Sequence, residues 1–196
     1  MARQLNILNG LVLAGGHSTR MGTDKALLAY NGKPQREFLF DLLKQCCDRV
    51  YTSCRKDQRV PEMLNPLPDR FEIAGPMNGI LTAFTHHPDS NWLIIAVDMP
   101  YINRDTLQLL ISSHDENKTA TCFYNPETQQ PEPLLTLWGP EAHPLLLTFT
   151  EKGNISPREF LKTHDVNLIQ PPDEKTLLNF NSPKDLPDLP PVKRLS

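Results

Sequence analysis

Net charge is almost absent from this chain. Its 20 basic and 23 acidic residues leave only −3, with both signs spread along the length. That excludes the basic stripe of a nucleic-acid groove and the polybasic patch that holds an anionic membrane. Neither partner is expected, and any phosphate must be caught by local geometry. Long apolar runs are lacking as well: none approaches the roughly 20 residues of a membrane-spanning helix. The opening "MARQLNILNG" lacks the apolar stretch of a secretory signal, so a cytoplasmic location is expected. Cysteine is scarce. Cys46, Cys47, Cys54 and Cys122 show no C-x-x-C spacing, and neighbours on a helix point apart, which predicts buried free thiols rather than disulfides or zinc sites. The six histidines, His86 and His87 among them, form no H-E-x-x-H motif, and no catalytic histidine is expected.

Proline, by contrast, is abundant at 19 residues, well above its usual share of about 5%. It punctuates the loops and crowds the end, where "NSPKDLPDLPPVKRLS" reads as an extended tail or linker. The rest of the composition, 39% hydrophobic and 22% charged, is that of a globular chain long enough for one sizeable core. The expected organisation is a single domain over residues 1–186 and a proline-rich tail over 187–196.

Strand and helix signals alternate. "ILNGLVLAGG" ends a buried strand in glycines, and "YTSC" (51–54) and "WLIIAV" (92–97) are short and β-rich. Between them "QREFLFDLLKQCCDRV" sets Phe38, Leu39, Leu42, Leu43 and Cys46 on one helical face. "NGILTAFTHH" and "NRDTLQLLISSH" read as further helices, the second capped by Asn103, and "PLPDRFEIAGP" as a loop. Later, "TATCFYN" and "PLLTLW" flank a polar turn, "HPLLLTFTEKG" and "SPREFLKTH" suggest helices, and a short strand near "NLIQ" can return to the sheet. Such alternation predicts an α/β fold, a mostly parallel sheet covered by helices, whose ligands lie beyond the carboxyl ends of the strands. Gly15 and Gly16, Ser53 and Asp98 all stand at such ends.

The loop "AGGHSTRMGTDK" carries the clearest chemistry. Glycines after a strand let successive backbone amides form an anion-binding concavity. Arg20 offers a planar fork for phosphate oxygens and Lys25 a mobile point charge. A Walker loop or a dinucleotide fingerprint would need other glycine spacings. Asp98 follows an apolar run and precedes Met99-Pro100, which stops the strand and aims the carboxylate, a hard oxygen ligand suited to magnesium. Asp69, by itself, reads as a turn aspartate or a surface partner of Arg70.

"LAGGHSTRMGTDKALL" resembles the L-A-G-G-x-S-x-R-M-G-x-D-K signature of the molybdenum cofactor guanylyltransferases, the MobA-like nucleotidyltransferases. The likeness continues in order through "NGKP" (31–34), "GPMNGI" (75–80), "VDMPYI" (97–102) and "NFNSPKDL" (179–186). The resemblance implies a Rossmann-like three-layer α/β/α fold of nucleotide-diphospho-sugar transferase type. It implies transfer of GMP from GTP to the phosphate of molybdopterin, with pyrophosphate released and magnesium required. Leu13, Ala14, Gly15 and Gly16 would line the nucleotide, Lys25 and Arg20 would meet its phosphates, and Asp69, Gly79 and Asp98 would complete the nucleotide site, with Asp98 also on the metal. Asn181 would stand on the acceptor side. Cofactor-delivery proteins and apo-molybdoenzymes are the implied partners.

Three departures matter. Ser53 stands where the family often has Asn, so a base or ribose contact there is lost or made through water. Asn78 replaces a small residue where the nucleotide loop turns. Glu132-Pro133 replaces a common Gln-Pro, and a carboxylate facing a phosphorylated pterin would repel it unless an Arg or Lys neutralises it. Transfer of CMP, a sugar-phosphate acceptor, and a noncatalytic nucleotide-binding homologue remain as alternatives.

Overall fold

A computed structural model describes residues 7–16, 25–29 and 32–180. Among these residues seven strands form one sheet: β1 (Leu8–Leu13), β2 (Arg49–Cys54), β3 (Pro66–Pro68), β4 (Asn91–Ala96), β5 (Ala120–Asn125), β6 (Gln130–Trp138) and β7 (Val166–Ile169). They run in the order β3-β2-β1-β4-β6-β5-β7. Only β6 opposes its neighbours; the other pairs are parallel.

Five α-helices accompany them among the described residues: α1 (Gln35–Leu43), α2 (Pro76–His86), α3 (Arg104–Ser112), α4 (Ala142–Glu151) and α5 (Pro157–Thr163). Period-2 alternation sends successive strand residues to opposite faces. Val12 and Ile95 therefore pack with Leu39 and Leu43 of α1 and Leu107 and Leu110 of α3. Leu11 and Ile94 pack with Ile80 and Phe84 of α2, Leu146 of α4 and Phe160 of α5. Two buried clusters sandwich the sheet, which makes the three-layer arrangement. Central strands covered on both faces are mostly apolar: every residue of β1 and β4 is buried, with Asn9 and Asn91 the polar ones among them.

Local signals account for most boundaries. Asn103 caps α3 by accepting from the Thr106 N–H at 3.0 Å, and Ser156 caps α5 by accepting from the Glu159 N–H. The strand expected near "NLIQ" pairs in parallel with β5. Two expectations need correction. Residues 66–68, expected as loop, pair with β2 as an edge strand, a place where proline is tolerated because one side of the ladder needs no donor. The α1 helix stops at Leu43, so Cys46 and Cys47 lie in a turn whose amides both reach the Leu43 carbonyl. Helical spacing no longer separates their side chains, and the two thiols sit 4.0 Å apart, half-buried. All four cysteines are free. No helix among the described residues is long and apolar enough to cross a membrane.

The chain steps outward from β1 to β2 and β3, then returns through α2 to β4 on the other side of β1. The strand order therefore reverses between β1 and β4, where a crevice opens at the carboxyl ends.

Candidate functional site

Register places the site. Leu13 at the end of β1 is level with Ser53 on β2 and Ala96 on β4. Backbone bonds carry the ladder just past this row: Ala14 N–H donates to Ser53 O at 3.1 Å, Val97 N–H to Leu13 O at 3.3 Å, and Asp69 N–H to Cys54 O at 2.8 Å. Above the row opens a cleft of about 360 Å³. Leu13 to Gly16 form one wall; Ser53, Arg55 and Asp69 a second; Ile73 to Pro76 with Gly79 a third; and Ala96 to Asp98 with Leu134 the fourth.

Two glycines are demanded by the fold here. Gly75 begins α2 at φ 84°, a left-handed conformation that side chains disfavour. Gly79 lets α2 approach the sheet: a Cβ there would strike Ser53 Oγ and come within 2.7 Å of Leu13 Cδ2. Gly16 is different. A Cβ on it meets nothing within 4 Å, and one on Gly15 makes only ordinary contacts at 3.6 Å. The bare backbone of this loop is not required by described protein neighbours, which leaves the space to a ligand.

Asn78 is not turned to a ligand. Its Nδ2 donates to the Phe71 and Ile73 carbonyls at 2.6 and 3.0 Å, and its Oδ1 accepts from the Phe71 N–H. This side chain, 5% exposed, sets the course of the loop that forms the third wall.

Polar groups converge on the cleft from three strand ends. Burial pushes the Asp69 carboxyl above its ordinary range, although the Ser53 hydroxyl donates to it and the Arg55 and Lys56 cations lie near. Arg55 Nη1 donates to the carbonyls of Gly15 and Gly16 at 3.1 and 3.2 Å, and Gln58 Nε2 donates to that of Ala14 at 3.0 Å. Three successive carbonyls of the glycine loop are thereby braced by the segment after β2. Asp98, half-buried, follows β4, and its carbonyl accepts from the Phe180 N–H at 2.8 Å. Phe180 packs edge-on against Tyr101, so the chain leading into Asn181 is fastened beside Asp98.

The donor set bears on magnesium. Among the described residues no three His, Cys, Asp or Glu side chains cluster as a ready metal cage. Magnesium does not ask for one: it binds through one or two carboxylates, keeps several waters and takes the rest of its oxygens from phosphates. Asp98 on the cleft wall, with Asp69 on another wall, fits that demand.

Of the residues singled out in the sequence, Leu13, Ala14, Gly15, Gly16, Ser53, Asp69, Gly79 and Asp98 all line the one cleft. Lys25 begins a 3-10 turn, but its side chain, together with His17, Arg20, Asp24, Asn181 and the tail over 187–196, lies outside the described residues. Arg55, Gln58, Ile73 and Leu134 escape sequence reasoning; the run "CRKDQR" offers charge without showing which side chain reaches the loop. Glu132 does not line the cleft. It is 0% exposed, and its carboxylate accepts from Asn125 Nδ2 at 3.3 Å and from the Leu134 N–H at 3.2 Å. Burial raises its pKa, the nearby Arg158 lowers it, and Asp98 raises it.

Comparison with known proteins shows the family and the fold. The MobA-like NTP transferase domain family matches residues 10–168. A "Molybdenum cofactor biosynthesis bifunctional protein" of Synechocystis sp. is 42% identical over 184 residues, 91% of this chain and 52% of that protein, so the chain spans about half its length. A protein of Nostoc sp. named "Probable molybdenum cofactor guanylyltransferase" is 30% identical over 187 residues, 93% of this chain and 90% of its own. The crystal structure of molybdopterin-guanine dinucleotide biosynthesis protein A from Archaeoglobus fulgidus superimposes with a TM-score of 0.73 at 21% identity, covering 91% of this chain and 94% of that one.

Proposed function

Because the chain belongs to the MobA-like NTP transferase domain family, we propose that it is a guanylyltransferase acting on molybdopterin in the cytoplasm. The acceptor's phosphate attacks the α-phosphorus of GTP; the new oxygen–phosphorus bond forms as the bond to the bridging oxygen breaks, and pyrophosphate departs with its electron pair. The observation that carries this reading is the cleft itself, where a glycine loop with open space above it faces Asp69 and Asp98 across the carboxyl ends of parallel strands.

Little proton chemistry is needed, since a phosphate monoester is already largely dianionic at neutral pH. Catalysis then rests on positioning and on meeting charge as it builds. Arg55 and Gln58 hold the loop carbonyls in place, so the peptide planes that present amides to phosphate need not reorganise. Arg20 and Lys25 are assigned to the phosphates, and Asn181 to the acceptor. Magnesium, when bound through Asp98, would supply neutralisation of the triphosphate. Glu132 is buried and bonded to Asn125 and the Leu134 N–H rather than lining the cleft, and the Arg158 cation lies near it.

Titration with each of the four nucleoside triphosphates and magnesium in a calorimeter tests the reading. GTP should bind selectively, and Asp98→Ala should lose the magnesium-dependent part. Equal affinity for all four, or no binding, would overturn the assignment.

A further inference from the structure

A second cavity, on the α1 side of the β2–β3 edge, holds an unusual arginine. Arg36, in the first turn of α1, is 6% exposed. Its Nη1 makes one long contact, 3.5 Å, to the Arg59 carbonyl, and its Nε has no hydrogen-bond partner. No carboxylate pairs with it among the ion pairs of the described residues. A buried ion left without a counter-charge carries a desolvation penalty of several kcal/mol on the general scale, so the fold as described holds an uncompensated cation.

Arg36 lines a groove of about 710 Å³ whose other charged walls are Arg55, Lys56 and Arg59 against a single carboxylate, Glu62. Arg55 is engaged with Asp57 and with the glycine loop, whereas Lys56 and Arg59 are exposed. The groove therefore gathers four cations and one anion in a protein whose overall charge is negative.

We propose that this groove is a binding site for a small phosphate-class oxyanion, with the Arg36 guanidinium as its buried partner and Lys56 and Arg59 as its outer ones. A planar fork of N–H donors matches tetrahedral oxyanions well. A small ion can reach a side chain so little exposed, while an acidic peptide would stay at the rim. The site touches the nucleotide cleft only through Arg55, which lines both, and it does not depend on the guanylyltransferase reading.

Pyrophosphate is the probe, and Lys25→Ala is the background, since it removes the cation assigned to phosphate in the other cleft. Thermal unfolding is followed as pyrophosphate is raised at constant ionic strength, with NaCl as the control. The melting temperature should rise with the logarithm of pyrophosphate concentration above Kd, by about 3–6 °C at roughly ten times Kd. Adding Arg36→Met should abolish the rise while leaving the anion-free protein at least as stable, because an unpaired buried charge has gone. Should that variant not fold, the pair Lys56→Gln and Arg59→Gln, both at exposed positions, should weaken the apparent affinity instead. A rise no larger than with NaCl, a rise unchanged by these substitutions, or stabilisation by a poly-glutamate peptide and not by pyrophosphate would each overturn the proposal.

Discussion

At the scale of single residues, two glycines of the cleft separate folding from binding. Gly79→Ala drives a methyl group into Ser53 and Leu13, and overpacking of this kind costs about 1–3 kcal/mol. Denaturant unfolding should register that loss. Gly16→Ala meets nothing and should leave stability within about 0.5 kcal/mol, yet weaken nucleotide binding on the order of tenfold by filling space meant for ligand, a loss of about 1.4 kcal/mol. Unaltered binding in Gly16→Ala would remove the ligand from that wall. Glu132 makes a pH prediction. Its folded pKa lies above the ordinary 4.5 because burial disfavours the carboxylate, so the native state binds more protons than the unfolded one in that window. Its contribution is fully present below the ordinary value and is lost as pH rises through the raised one. Urea unfolding across this range should lose less stability with rising pH in Glu132→Gln than in the unaltered protein, Asp69, also raised, keeping its own share. The sequence identified Glu132 as a departure but not its surroundings, because the Asn125 contact arises only when β5 and β6 pair.

At the scale of elements, the segment after β2 is the least legible part of the site. "CRKDQR" reads as a solvated charged loop, and no periodicity shows that Arg55 and Gln58 turn back across some 40 residues to the carbonyls of β1's exit. Long-range pairing of this kind depends on β1 and β2 being adjacent and parallel. Arg55→Ala should release the Gly15 and Gly16 carbonyls and reduce nucleotide affinity by about tenfold or 1.4 kcal/mol. Asp57→Ala should do little, since an exposed ion pair is worth at most about 1 kcal/mol. Calorimetry on the two variants separates a brace from a surface charge; equal affinity in both would deny Arg55 a positioning role. Elsewhere the elements were more readable. Asn103 and Ser156 cap their helices as local side-chain chemistry dictates, whereas the early end of α1 and the pairing of residues 66–68 follow from tertiary neighbours that no local pattern records.

At the scale of the whole molecule, the alternation of strands and helices was sufficient to predict the covered, mostly parallel sheet, and the cleft opens at the carboxyl ends of its strands. The reversal of strand order between β1 and β4 places Gly15, Gly16 and Asp98 on one crevice, and the strand ends singled out in the sequence meet there because Leu13, Ser53 and Ala96 share a register. The return of the chain after α5 to Asp98 through Phe180 was less visible, since no local pattern records that contact. The most direct test of the account is turnover: the protein is mixed with magnesium, GTP and molybdopterin, and pyrophosphate and guanine dinucleotide are both quantified. One pyrophosphate per dinucleotide is expected, with the rate falling by about 100- to 1000-fold in Asp98→Ala. An undiminished rate in that variant, or equal turnover with CTP, would contradict it.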